Sequence, residues 1–235
     1  VNRSLEAVAE TLRDRVDALA FASPVVFTYN PLSYAWRSHR AYLQRFGAGP
    51  KRVVFLGMNP GPFGMAQTGV PFGDVETVGE WLGIDEPVEQ PPSTHPKRPI
   101  QGLACPRVEV SGQRLWGWVR ERWSVPERFF DECFVVNYCP LVFLEDTGRN
   151  RTPDKLPVDE RRTLFEVCDA ALAASLTILE PDWVVGVGRF ARLRAETLDG
   201  PWRVGEMLHP SPASPAANRG WRAAAETQLQ TQGIF

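Results

Sequence analysis

Three polar side chains stand just beyond short apolar runs. Asn59 follows Val53-Val54-Phe55-Leu56-Gly57, Asn137 follows Phe134-Val135-Val136, and His209 follows the run from Val204 to Leu208. Such runs, bounded by turn residues, read as buried strands. In parallel sheets, ligands collect outside the carboxyl ends of the strands. An imidazole and two carboxamides, able to donate, accept and orient, therefore gather at one sheet edge. Beside them, Gly57-Met-Asn-Pro-Gly-Pro-Phe-Gly64 carries two X-Pro steps and three glycines. That composition makes a rigid loop with exposed backbone, suited to close contact with a flat ligand or a phosphate. Each feature has a plainer reading: a His before Pro as a turn residue, an Asn as a loop cap, the loop as turn chemistry alone.

Other chemistries have weaker support. No GxSxG nucleophile elbow is present. Cys105, Cys133, Cys139 and Cys168 include no CxxC pair, so they read as buried free thiols and not as a metal or cluster site. Gly186-Val-Gly188-Arg-Phe-Ala191 fits GxGxxA, with Glu206 18 residues beyond Gly188, the outline of a dinucleotide fingerprint and of a nucleotide-dependent oxidoreductase. It sits on the third strand, however, and Glu206 falls inside a strand instead of at its end. Close helix–sheet packing accounts for it better.

The elements that must position these groups follow from periodicity. Helices are predicted over 5–20, near 75–82, from Ser111 as N-cap through Trp123, and over 159–179, 189–198 and 221–231. The segment around Tyr29, Tyr34 and Trp36 reads as a loop rich in aromatics. Strand–helix alternation with no repeat or linker predicts a single α/β domain over 1–235, one parallel sheet covered by helices. Composition agrees with a folded, non-membrane chain: 43% hydrophobic, 23% charged, net charge −2, and 8 Trp with 13 Phe for a core. No apolar run reaches about 18 residues, and no signal segment opens the chain. Charge is uneven, with six acids and no base from Asp74 to Glu89, and seven bases against three acids from Lys97 to Arg128. A local patch of this kind can meet an anionic ligand.

Gly57-Met-Asn-Pro-Gly-Pro-Phe-Gly-Met-Ala-Gln-Thr-Gly-Val-Pro-Phe-Gly73, with His209-Pro-Ser-Pro and Pro215-Ala-Ala-Asn-Arg-Gly-Trp221, resembles the single-strand-selective monofunctional uracil-DNA glycosylases of the uracil-DNA glycosylase superfamily. The resemblance runs on through His95-Pro-Lys-Arg-Pro, Val110-Ser-Gly, Asn137-Tyr-Cys-Pro-Leu, Thr147-Gly-Arg-Asn150 and Val184-Val-Gly-Val-Gly188. It covers the chain from about Tyr34 onward. It implies a four-stranded parallel sheet flanked by helices, no metal or cofactor, and excision of uracil and 5-modified uracils such as 5-hydroxymethyluracil from single- and double-stranded DNA, initiating base excision repair.

The same resemblance assigns roles. Asn59 and His209 are implied as catalytic, Asn59 by positioning water and His209 by stabilising the departing base. Asn137 reads the pyrimidine edge, Phe72 stacks on the flipped base, and Met58 walls the pocket. Gly61 stands where a related family has tyrosine, which implies a roomier pocket. DNA contacts are expected from Lys97, Arg98, Pro210, Ser211, Pro212, Ala213, Ser214 and Arg219. Relatives can carry a basic residue where this chain has Ala213, so duplex penetration is expected to be weak. The three lysines lie outside the two main motifs, which fits a glycosylase without lyase activity. The expected protein is a cytoplasmic monomer, nucleoid-associated in a bacterium or nuclear in a eukaryote. The alternative on the same fold is a catalytically silent nucleic-acid-binding module.

Overall fold

The computed structural model describes residues 4–235. In chain order the elements are α1 (Leu5–Asp17), β1 (Val25–Tyr29), α2 (Pro31–Tyr34), α3 (Trp36–Phe46), β2 (Val53–Gly57) and α4 (Met65–Thr68). Then come α5 (Val110–Trp123), α6 (Pro126–Glu132), β3 (Cys133–Asn137), β4 (Val142–Glu145), β5 (Asn150–Arg151) and α7 (Val158–Leu179). The chain closes with β6 (Trp183–Val187), α8 (Arg189–Ala195), β7 (Arg203–Met207), α9 (Pro215–Asn218) and α10 (Trp221–Thr231).

The strands β3-β2-β6-β7 form a four-stranded parallel sheet in that order. All five residues of β2 are buried, as a central strand covered on both faces requires. Its register sets Gly57 beside Asn137, while Val187 on β6 lies beside Met207 on β7. The strands therefore end nearly level. Trp116, Trp118, Phe129, Phe134 and Tyr42 are fully buried against the sheet. Burying each such ring stabilises the fold by roughly 1.5–3 kcal/mol. All four cysteines are buried free thiols. No described helix is long and apolar enough to cross a membrane.

Three expectations need correction. The chain does not alternate strand and helix throughout: β1, β4 and β5 form a second, antiparallel sheet of three strands. These strands have five, four and two residues, too short for period-two alternation to stand out. The aromatic-rich segment is no simple loop, since it ends β1, forms α2 and opens α3. The buried stripe of α3 is Ser38, His39, Tyr42, Leu43 and Phe46, a helical spacing hidden because two of its members are polar. Ser111 is not the N-cap of α5; Glu109 takes that position and Ser111 lies inside the first turn.

The dinucleotide-like fingerprint is settled by packing. A methyl group on Gly186 would fall within contact distance of the Arg192 backbone, so the glycine lets α8 lie on the sheet. Gly188 adopts φ +89°, a conformation that favours glycine. Gly117, in the middle of α5, faces open space. Gly186→Ala is thus expected to lower unfolding free energy by about 1–3 kcal/mol or more, measured by urea denaturation. Gly117→Ala is expected to raise it by about 0.5–1 kcal/mol through helix propensity.

Candidate active site

A cavity of about 440 Å³ opens at the carboxyl edge of the parallel sheet. Met58, Asn59, Gly61, Phe72, Asn137, His209, Ser211 and Pro212 all line it. The structure therefore brings together residues at and beyond the ends of β2, β3 and β7 that lie up to 154 positions apart in the chain, from Met58 to Pro212.

The loop after β2 is held to β3 by hydrogen bonds from the Tyr138 N–H to the Gly57 carbonyl (2.9 Å) and from the Cys139 N–H to the Met58 carbonyl (2.9 Å). Asn59 donates through Nδ2 to the Leu141 carbonyl at 3.0 Å. That bond uses one of the two Nδ2 hydrogens and fixes the amide's orientation, leaving Oδ1 as an acceptor without a protein partner among the described residues. Asn137 donates from Nδ2 only to the Met65 sulfur at 3.3 Å, and its Oδ1 is buried with no partner. Thioethers are weak acceptors, and an unpartnered buried oxygen costs about 1–3 kcal/mol, so this amide is poised for a ligand with a donor beside an acceptor. A side chain on Gly57 would overlap both Asn137 Oδ1 and the Phe72 ring; glycine lets them meet over the strand end.

Phe72 has φ +56°, a strained value for an aromatic residue. Its carbonyl is packed so close to Gly112 that a methyl group there would collide with it, so the first turn of α5 helps to hold the conformation. The Phe72 and His209 rings stand 6.2 Å apart between centroids, tilted by 45°, as two walls of the cavity.

His209 has a defined proton. The Ser211 N–H donates to Nδ1 at 3.1 Å, so the neutral ring carries its hydrogen on Nε2. Burial lowers its pKa to about 4. The loop that follows is anchored by Arg114 on α5, which donates to the carbonyls of Pro210 (3.1 Å) and Ser211 (3.4 Å) and to Asn218 Oδ1 (2.9 Å). Trp221 donates from its indole to the Leu208 carbonyl at 2.6 Å, holding the residue before the histidine. Gly188 makes room for it: a methyl group there would sit 3.0 Å from His209 Cβ.

The expected DNA contacts are distributed less tightly. Pro212, Ala213 and Arg219 are exposed beyond His209. Ser214 caps α9 by accepting from the Ala217 N–H at 3.3 Å. That helix is one turn long and its first residue, Pro215, has no N–H, so little remains there for a phosphate. Arg219 follows its last residue. Lys97 and Arg98 lie on a separate loop, pinned by His95 through Nε2 to the Asp146 carbonyl at 2.8 Å.

Beyond Pro60, Pro62 and Met65 of the first motif, sequence reasoning missed four lining residues, Glu109, Ser111, Asn150 and Thr152. Asn150 donates to the Pro60 carbonyl at 3.1 Å and leaves a buried Oδ1 unpartnered; the Thr147–Asn150 motif carried its signal. Glu109 corrects the picture at Gly61. Its carboxylate lies where a Gly61 side chain would project, so the space freed by the glycine is already filled. Burial raises the Glu109 pKa, while N–H groups of Phe63 and Ser111 donate to the carboxylate and oppose the rise.

A family model described as the uracil DNA glycosylase superfamily matches residues 44–230, and the chain belongs to that superfamily. Within it, the single-strand selective monofunctional uracil DNA glycosylase of Bos taurus is 52% identical over 228 residues, 95% of this chain and 84% of that protein. The Mus musculus protein of the same description is also 52% identical, over 95% of this chain and 82% of its own length. The solved structure of wild-type Pedobacter heparinus SMUG2 superposes with a TM-score of 0.67, covering 96% of this chain and 97% of its own at 15% identity, a likeness of fold.

The histidines give a pH prediction. His39, fully buried with Nδ1 against the Gly69 carbonyl at 2.8 Å, also has its pKa lowered to about 4 by burial. Both rings resist protonation in the folded state, whereas in the unfolded chain they take a proton near 6.5. The unfolded state binds more protons between these values, so stability falls as pH drops from about 6.5 through about 4. Nitrogen-15 NMR should find His209 as the Nε2–H tautomer at pH 7, titrating near 4; titration near 6.5 would contradict the buried, neutral assignment.

Proposed function

We propose that this protein is a monofunctional DNA glycosylase that hydrolyses the N1–C1′ bond of uracil flipped out of DNA. The observation that carries the reading is a neutral His209, fixed as an Nε2–H donor, in one cavity with the free Oδ1 of Asn59 and the unpartnered amide of Asn137. The relatives of that description, and membership of the superfamily, support the reaction class.

Breaking the bond leaves positive charge on the sugar and negative charge on the base. Catalysis therefore rests on stabilising an anion and placing a water. His209 Nε2–H donates to uracil O2 as charge builds there. A neutral ring suits this role, since its Nε2–H is in place near pH 7 without a further proton from solvent. Asn59 Oδ1 accepts from the attacking water and aims it at C1′; a carboxamide is too weak a base to do more. Asn137 accepts from N3–H and donates to O4, a pairing that cytosine cannot match. Phe72 stacks on the base and Met58 closes the wall.

The substrate range extends to 5-substituted uracils such as 5-hydroxymethyluracil, a reading supported by the family resemblance and not by space beside Gly61, which Glu109 fills. Removal of these bases initiates base excision repair. Single- and double-stranded DNA are both substrates, the duplex at an unstacking cost of a few kcal/mol. Lys97, Arg98 and Arg219 contact phosphates, and residues 210–214 enter the space the base leaves. The enzyme acts as a monomeric single domain at the nucleoid or in the nucleus.

A release assay with uracil, 5-hydroxymethyluracil and cytosine in single- and double-stranded oligonucleotides tests the reading. Asn59→Ala should keep binding while cutting the single-turnover rate by ~10²-fold or more; unchanged chemistry would remove the water-positioning role. Asn137→Asp should weaken uracil excision and admit some cytosine excision, because a carboxyl group can accept from the exocyclic amine. Normal uracil release with cytosine still refused would overturn that assignment.

A further inference from the structure

Beside the cavity lies a second cluster of groups, in which only Arg98 has an assigned role, as a phosphate contact. Phe63 sits in the loop between Pro62, which lines the cavity, and Gly64. Two guanidiniums lie over its ring, that of Arg107 at 4.9 Å and that of Arg98 at 5.5 Å. Neither arginine has a carboxylate within salt-bridge distance among the described residues. Arg107 is exposed and makes no side-chain hydrogen bond there. Arg98 spends only Nη1, on the Lys97 carbonyl at 2.8 Å. Val108 and Val110, next along the chain, are 48% and 37% exposed. Glu109 between them lines the cavity and ties this segment to the Phe63 N–H.

A half-buried aromatic ring that backs two guanidiniums without carboxylate partners presents flat guanidinium planes and positive charge in one place, with two exposed valines next along the chain. That is the chemistry that holds a single strand: bases stack on π-faces or guanidinium planes while cations take the phosphates. We propose that Phe63, Arg98 and Arg107 form a stacking platform for an unpaired nucleotide adjoining the flipped base. A paired neighbour in a duplex stays hydrogen-bonded to its partner and stacked on its far side, so a single strand uses the platform more readily. The surface thus favours single strands without any contact to the reacting base. The inference rests on the glycosylase reading above.

The test compares three ligands that carry the same uncleavable 2′-fluoro-deoxyuridine: a single strand with normal flanking bases, the same strand with abasic flanking sugars, and a duplex. Wild-type protein should bind the first about tenfold more tightly than the second. Phe63→Leu should remove that difference while changing affinity for the abasic-flanked strand and the duplex by less than twofold. Equal loss on all three ligands, or no loss on any, would overturn the platform and leave Phe63 as a loop tether. If Phe63→Leu loses its cooperative melting, Arg107→Gln at the exposed position carries the same comparison, with at least a threefold reduction of the flanking-base difference expected and an unchanged difference contradicting the proposal. Uracil release from ordinary oligonucleotides is measured in parallel with wild-type protein. Its absence would sink the glycosylase reading, whereas release with no dependence on flanking bases would sink the platform alone.

Discussion

The site depends on close approach at the ends of the parallel strands. Where β2 ends, Gly57 allows the Asn137 amide and the Phe72 ring to meet over the backbone; where β6 ends, Gly188 does the same for His209. A side chain at Gly57 would overlap the Asn137 amide and the Phe72 ring, and one at Gly188 would press on His209 from 3.0 Å while holding a strained φ of +89°. Level strand ends and small residues at them thus turn a generic sheet edge into a pocket with fixed polar atoms. The helices reinforce this geometry, α5 through Arg114 and Gly112, and α10 through the Trp221 indole.

Charge is managed with equal strictness. The cavity is lined by three carboxamides, Asn59, Asn137 and Asn150, and by an imidazole whose pKa burial lowers to about 4. The lining carboxylate, Glu109, would oppose an anionic leaving group if it stood bare. Two backbone N–H donors face that carboxylate and take up part of its field, while burial pushes its pKa upward. A pocket prepared in this way stabilises a developing anion with dipoles already in place, without reorganising at the moment of reaction. Its unpartnered oxygens are the stability given up for that readiness.

Much of this was legible in the sequence because buried parallel strands are continuous apolar runs, and the residues that follow them are the ones a ligand meets. Asn59, Asn137 and His209 were found by that rule, and Phe72 and Gly61 through the long Gly57–Gly73 motif. The antiparallel sheet was hidden by the shortness of its strands, and α3 by a buried stripe that includes Ser38 and His39. Glu109 and Arg114 belong, in the sequence, to the basic stretch from Lys97 to Arg128 and carry no pattern of their own. Their roles come from tertiary contacts with loops about 50 and 100 residues away, which local pattern does not encode.

The central claim is a uracil-shaped site that exists before DNA arrives. Titration of the free protein with uracil, followed by nitrogen-15 NMR, tests it most directly. The account predicts that the Asn137 side-chain amide and the His209 Nε2–H shift together and saturate with uracil, while cytosine leaves both in place. Uracil-induced shifts confined to other parts of the molecule, or equal responses to the two bases, would contradict it.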